Sequence, residues 1–261
     1  MLEALIIVLV CFFASVVGAI CGIGGGVIIK PVLDATGVMP VTTVSFLSGC
    51  TVLSMSVVSM YKNLKAKKPF DAKIATILAL GAVVGGLAGK SMYQSIVSSM
   101  ADSSHVGAIQ AGVLSIVTMG TLAYTVFKSK IRTMHLKSPA VIFVIGVILG
   151  IMSSFLGIGG GPINLVVLFY FFSMETKEAA MYSIYCIMFS QLSSLISTLV
   201  KGNVPSFNPL HLVLMVGCGI MGGIAGSRIN KQIESRTVDK LFMGLMAVII
   251  LICFFNVYRY M

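Results

Sequence analysis

GAICGIGGGVIIKP, residues 18–31, and SSFLGIGGGPINL, residues 153–165, each set a run of glycines inside strongly apolar sequence. Gly22, Ile23, Gly24, Gly25 and Gly26 return as Gly157, Ile158, Gly159, Gly160 and Gly161, a shift of 135 residues. Later in each half Gly85-Gly86-Leu87-Ala88-Gly89 returns as Gly222-Gly223-Ile224-Ala225-Gly226, a shift of 137. Two separate matches at nearly one offset mark an internal repeat.

The surroundings of these motifs set the class of protein. The chain has 261 residues, of which 57% are hydrophobic and 10% charged, with a mean hydropathy of +1.04. A soluble domain carries about 25% charged residues, so there is too little polar surface here to coat a water-facing globule. Apolar runs recur at 2–21, 42–60, 72–97, 106–127, 139–156, 179–200, 209–229 and 238–258. Each approaches the ~20 residues that carry a helix across a bilayer. Shorter apolar pieces at 27–33 and 162–172 follow the glycine loops and are too short to cross. The fold expected is an all-α integral membrane protein of two four-segment repeats, each with a glycine-broken first helix. Residues 1–130 form the first repeat, 131–138 a basic cytoplasmic linker and 139–261 the second repeat.

Charge placement orients the halves. If each glycine loop turns the chain back, the connections 61–73, 128–137, 173–178 and 228–240 share one face and hold fourteen of the eighteen Lys and Arg. The second repeat is then inverted relative to the first, and the positive-inside rule is well met. Eight plain crossings, the alternative, divide the basic residues eleven to seven. The formal charge of +10 is explained by this placement, and a nucleic-acid partner, which needs a basic face on a soluble domain, is not expected. Residues 1–21 lack a basic leading segment and have a counterpart in the second half, so they are read as mature protein rather than as a signal.

A backbone that leaves helical geometry inside hydrocarbon is tolerated only where it lines a cavity or is buried in protein. The short helices after the loops begin near Val27 and Pro162 and point their positive ends at the glycines. Paired breaks of this kind point to a midplane binding site that prefers an anion; close packing of helices is the competing explanation. Candidate residues beyond the loops are Lys30, Ser45, Asn164, Ser183 and Gln191. Lys30 either adds positive charge to the site or pairs with Asp34. Ser45 and Ser183, matched at a shift of 138, and Gln191 either line the path or bond neighbouring helices. The stripes Gly81, Gly85, Gly89 and Gly222, Gly226 read as packing faces. The six cysteines read as small buried hydrophobes, and no cofactor or metal is called for.

The doubled glycine loops, with GGLAG and GGIAG late in each half, resemble the sulfite exporter TauE/SafE family of membrane permeases over essentially the whole chain. That resemblance implies a plasma-membrane permease for sulfite, thiosulfate or organosulfonates, coupled to protons. None of the eight acidic residues lies deep in a spanning run, so either a weak-acid substrate carries the proton itself, the reading preferred here, or Asp34, near the first glycine loop, does. An intramembrane enzyme would need a nucleophile and base, or paired acids, at depth, and none is present. A passive anion channel remains the alternative function, and a homodimer is left open.

Overall fold

The computed structural model describes residues 2–65, 71–100 and 103–260. Lys67, Lys68 and Asp102 lie outside the described residues. The chain folds into helices α1 (Leu2–Cys21), α2 (Gly26–Thr36), α3 (Val41–Lys65), α4 (Ala72–Ser99), α5 (Ser103–Phe127), α6 (Pro139–Leu156), α7 (Pro162–Phe172), α8 (Thr176–Val200), α9 (Pro209–Gln232) and α10 (Ser235–Tyr260). All except α2 and α7 are long and apolar enough to cross a membrane, so the protein is an all-helical, multi-pass membrane protein. Local chemistry sets the boundaries. Asp71 caps α4 by accepting from the Lys73 and Ile74 amides, and Asn208 caps α9 through Leu210. Proline opens α6, α7 and α9, where the first turn needs no amide hydrogen bond.

The glycine stripes decide which helices lie together. A Cβ on Gly81, Gly85 or Gly89 of α4 would overlap the carbonyl oxygens of Phe143, Val147 or Ile151 of α6. Both series step by four in the same direction, so α4 and α6 run parallel in backbone contact. In α9, Gly222 and Gly226 meet the carbonyls of Phe12 and Val16 of α1 in the same way, and Asn230 Nδ2 donates to Ile20 O. The stripes are packing faces, as small residues at membrane helix contacts generally are. The first helix of each half therefore lies along the fourth helix of the other half.

Side-chain contacts fix the ends of the bundle. At one end Ser227 of α9 donates to Ser59 of α3 at 3.4 Å, the Asp71 amide donates to the Tyr182 hydroxyl at 2.7 Å, and Thr176 donates to Asp239 at 2.9 Å. Lys128 pairs with the same aspartate. This basic end gathers the C-termini of α3, α5 and α9 and the N-termini of α4, α8 and α10. At the opposite end Thr43 donates to Ser206 O at 3.1 Å, Lys201 to Ser91 at 3.1 Å and Tyr260 to Asp34 O at 2.9 Å. Corresponding helices of the two halves thus run in opposite directions. Helix α1 starts at the opposite end beside α9 and is long enough to cross, and α2 returns the chain to the end where α1 began.

Candidate functional site

The two glycine loops meet at the centre of the bundle. Val52 and Ile187, close to the midpoints of α3 and α8, flank both of them. A Cβ on Gly26 would overlap Ile158 O, and one on Gly24 would stand 3.7 Å from Gly159 O. Positive φ values of 76° at Gly24 and Gly159 and 117° at Gly160 let the chain turn here without a side chain in the way. Gly25 folds back to the level of Ser15, its Cβ position 2.9 Å from that hydroxyl oxygen. Among the described residues no backbone carbonyl accepts from the amides of Gly24, Gly25, Gly159, Gly160 or Gly161. The N-terminal ends of α2 and α7 open at this level, each contributing partial positive charge.

The contacts also correct one match made from sequence. Gly22 faces Ala180 and Gly157 faces Ser45, an offset of 135 that also relates Val52 to Ile187. Ser45 therefore corresponds to Ala180, and the counterpart of Ser183 is Ser48, whose hydroxyl donates to Gly157 O at 2.8 Å. Ser183 is fully buried, with no hydrogen-bond partner for its hydroxyl.

Beside the second loop lies a narrow cavity whose walls include Ser45, Gly49, Lys90, Gln110, Ser154, Gly157, Gln191 and Ser194. Gln191 is held by its Nε2 bond to Ser153 at 3.1 Å, and Ser153 in turn shares a 2.7 Å bond with Ser190. Ser154 Oγ is buried with no partner. Among the described residues no carboxylate lines the cavity and Lys90 is the one cation that does, its ammonium 5.0 Å from the Tyr93 ring centroid. A second, more open cavity shares Phe46, Lys90 and Tyr93 with the first and reaches Ser98 and Asn203–Pro205 at the end opposite the basic one. The two adjoin at Lys90, between that end and Gly157 of the second loop, an arrangement suited to a small anion.

The comparisons with known proteins agree with a permease. The sulfite exporter TauE/SafE family model matches residues 7–252. The chain belongs to the TauE/SafE family. A relative, the probable membrane transporter protein YunE of Bacillus subtilis, is 23% identical over 91% of this chain and 92% of its own length. No solved structure matches the chain. The protein is a membrane transporter of the TauE/SafE type.

Within this TauE/SafE chain, the residues selected from sequence fall into two groups. Ser45, Gly157 and Gln191 line the central cavity, whereas Gly22, Gly24, Gly26, Ile158, Gly159 and Gly160 pack where the loops meet each other, α3 and α8. Ile23, Gly161 and Asn164 are buried, and the Asn164 amide nitrogen lies 2.9 Å from the Cβ position of Gly160. Lys30 is paired with Asp34 at 2.6 Å, both nearly fully buried. Lys30 lines a smaller cavity of about 230 Å³ with Asp34, Gln110 and Asn256, and its Cε lies 3.6 Å from the Cβ position of Gly157. Its stem thus reaches the second loop while its charge is committed to a neighbour. Lys90 was not among the selected residues. Its signal was a lone cation well inside the long apolar helix α4, the kind of intramembrane charge that marks a pathway.

Proposed function

We propose that the protein is a secondary carrier that moves a small sulfur-containing anion, such as sulfite, thiosulfate or an organosulfonate, across the plasma membrane with proton coupling. The observation that carries this proposal is the cavity beside the midplane loops, reached past Lys90 from one end and shut off from the basic end by the Ser59–Ser227 and Asn230–Ile20 contacts. A site open to one side only is what a carrier needs, since a channel needs a path open to both. Lys90 and, at longer range, the positive ends of α2 and α7 supply attraction for an anion. The family description supports the sulfur-containing class of cargo. A weak acid such as bisulfite brings its own proton, and the absence of any carboxylate among the described residues of the cavity wall favours that route.

Flux into proteoliposomes from a panel of sulfite, thiosulfate, sulfonates and carboxylates tests this. Saturable uptake of the sulfur anions that responds to an imposed pH gradient is expected. Flux that rises linearly with concentration and ignores the gradient would identify a passive channel instead.

A further inference from the structure

At the basic end an open cavity is lined by Lys62 and Lys65 from the last turn of α3, by Arg228 and Lys231 near the end of α9, and by Ser227. Among the described residues no carboxylate lines it. Four cations around one space raise the local concentration of anions and repel one another when it is empty of them.

The place of this cavity in the fold gives it a meaning. The repeat offset of 137 carries Lys90 onto Ser227 and Tyr93 onto Asn230, and the offset of 135 carries Ser194 onto Ser59. Lys90, Tyr93 and Ser194 line the open central cavity between α4 and α8. Their counterparts on α9 and α3 are joined instead. Ser227 and Ser59 are both buried and hydrogen-bonded at 3.4 Å, and Asn230 Nδ2 is tied to Ile20 O. The matched positions line a cavity toward one end and are hydrogen-bonded toward the other, and the four cations stand just outside the hydrogen-bonded pair.

We propose that this basic cavity is the second mouth of the pathway, where the transported oxyanion is held among Lys62, Lys65, Arg228 and Lys231 when the Ser59–Ser227 contact parts. The inference rests on the carrier function proposed above and adds the site on the other face.

The test uses thiosulfate flux in right-side-out and inside-out membrane vesicles. In Lys62→Gln/Arg228→Gln/Lys231→Gln, KM for anion offered at the basic end should rise about tenfold, as expected for loss of electrostatic concentration, while KM at the Lys90 end stays as in the parent. Equal change at both ends, or at neither, overturns the proposal. Repeating the measurement in vesicles of phosphatidylcholine alone separates the two sources of anionic chemistry. A shift that appears only when anionic lipid is present assigns the cations to a headgroup and also overturns it. Should the triple variant not fold, a Ser59→Cys/Ser227→Cys pair gives a second measurement. Oxidation should arrest flux and reductant restore it, and undiminished flux in the crosslinked protein refutes the gate. Absence of flux of every sulfur anion of the panel in the unaltered protein overturns the carrier function and this inference with it, whereas a missing one-sided effect in a protein that transports overturns the inference alone.

Discussion

Replacing Lys90 by Gln removes the one positive charge that the described residues place on the wall of the central cavity and leaves a polar side chain in its place. An anion about 4 Å from the ammonium gains about 4 kcal/mol at an effective dielectric constant of about 20. Much of this is offset by hydration the anion gives up on entry, so a hydrogen bond to a charged group nets about 1.5–3 kcal/mol. At about 1.4 kcal/mol per tenfold, affinity should fall about 10- to 100-fold. Lys90→Arg keeps the charge and should recover most of the loss. The assay is initial flux against anion concentration, paired with the anion-dependent rise in Tm of the purified protein. An unchanged KM in Lys90→Gln, with its anion-free Tm equal to that of the parent, refutes the assignment of Lys90 to the site.

Gly85→Ala should lower Tm, because its Cβ overlaps Val147 O on α6 and overpacking costs about 1–3 kcal/mol; Gly112→Ala, with no atom within 4 Å, should leave Tm unchanged. Cysteines placed at Lys65 and Lys231 should both react with an impermeant reagent from one side of the membrane, and a cysteine at Ser206 from the other; labelling of only one of the first two overturns the arrangement of the halves. Asp34→Asn leaves the Lys30 ammonium buried without its carboxylate, which should cost about 3–5 kcal/mol in stability. Flux of a weak-acid substrate driven by a pH gradient should nonetheless persist, and its loss with downhill exchange intact would mean that the proton travels on Asp34.

Much of the architecture was written in the glycines. Their conformational and steric demands are local, so the loops at 22–26 and 157–161 and the stripes in α4 and α9 could be recognised from residue type and spacing alone. The match of Ser45 to Ser183 slipped by three residues because three is nearly one helical turn, and a polar residue one turn away presents almost the same face. Lys90 stands outside the fourteen charges that orient the halves, and its distance from the ends of α4 is its informative property. The site beside the second loop depends on the space that side chains of α3, α4, α5 and α8 leave around Lys90. That is a property of tertiary packing, and the nearly symmetric sequence gives no sign of it.

The exchange of first helices between the halves bears on how the chain is made. Helix α1 finds its lasting neighbour only when α9 arrives, at a point in synthesis 188 residues after α1 ends. At about 5–20 residues per second it must wait on the order of ten seconds or more, with the Phe12 and Val16 carbonyls that Gly222 and Gly226 will cover still unmatched. Residues 1–130 expressed alone should therefore be degraded, and should persist when residues 139–261 are supplied from a second message. In a crowded membrane the waiting helix can equally be met by α9 of another copy, which would yield an intertwined pair without any new interface. The half that the sequence repeats is not the half that assembles.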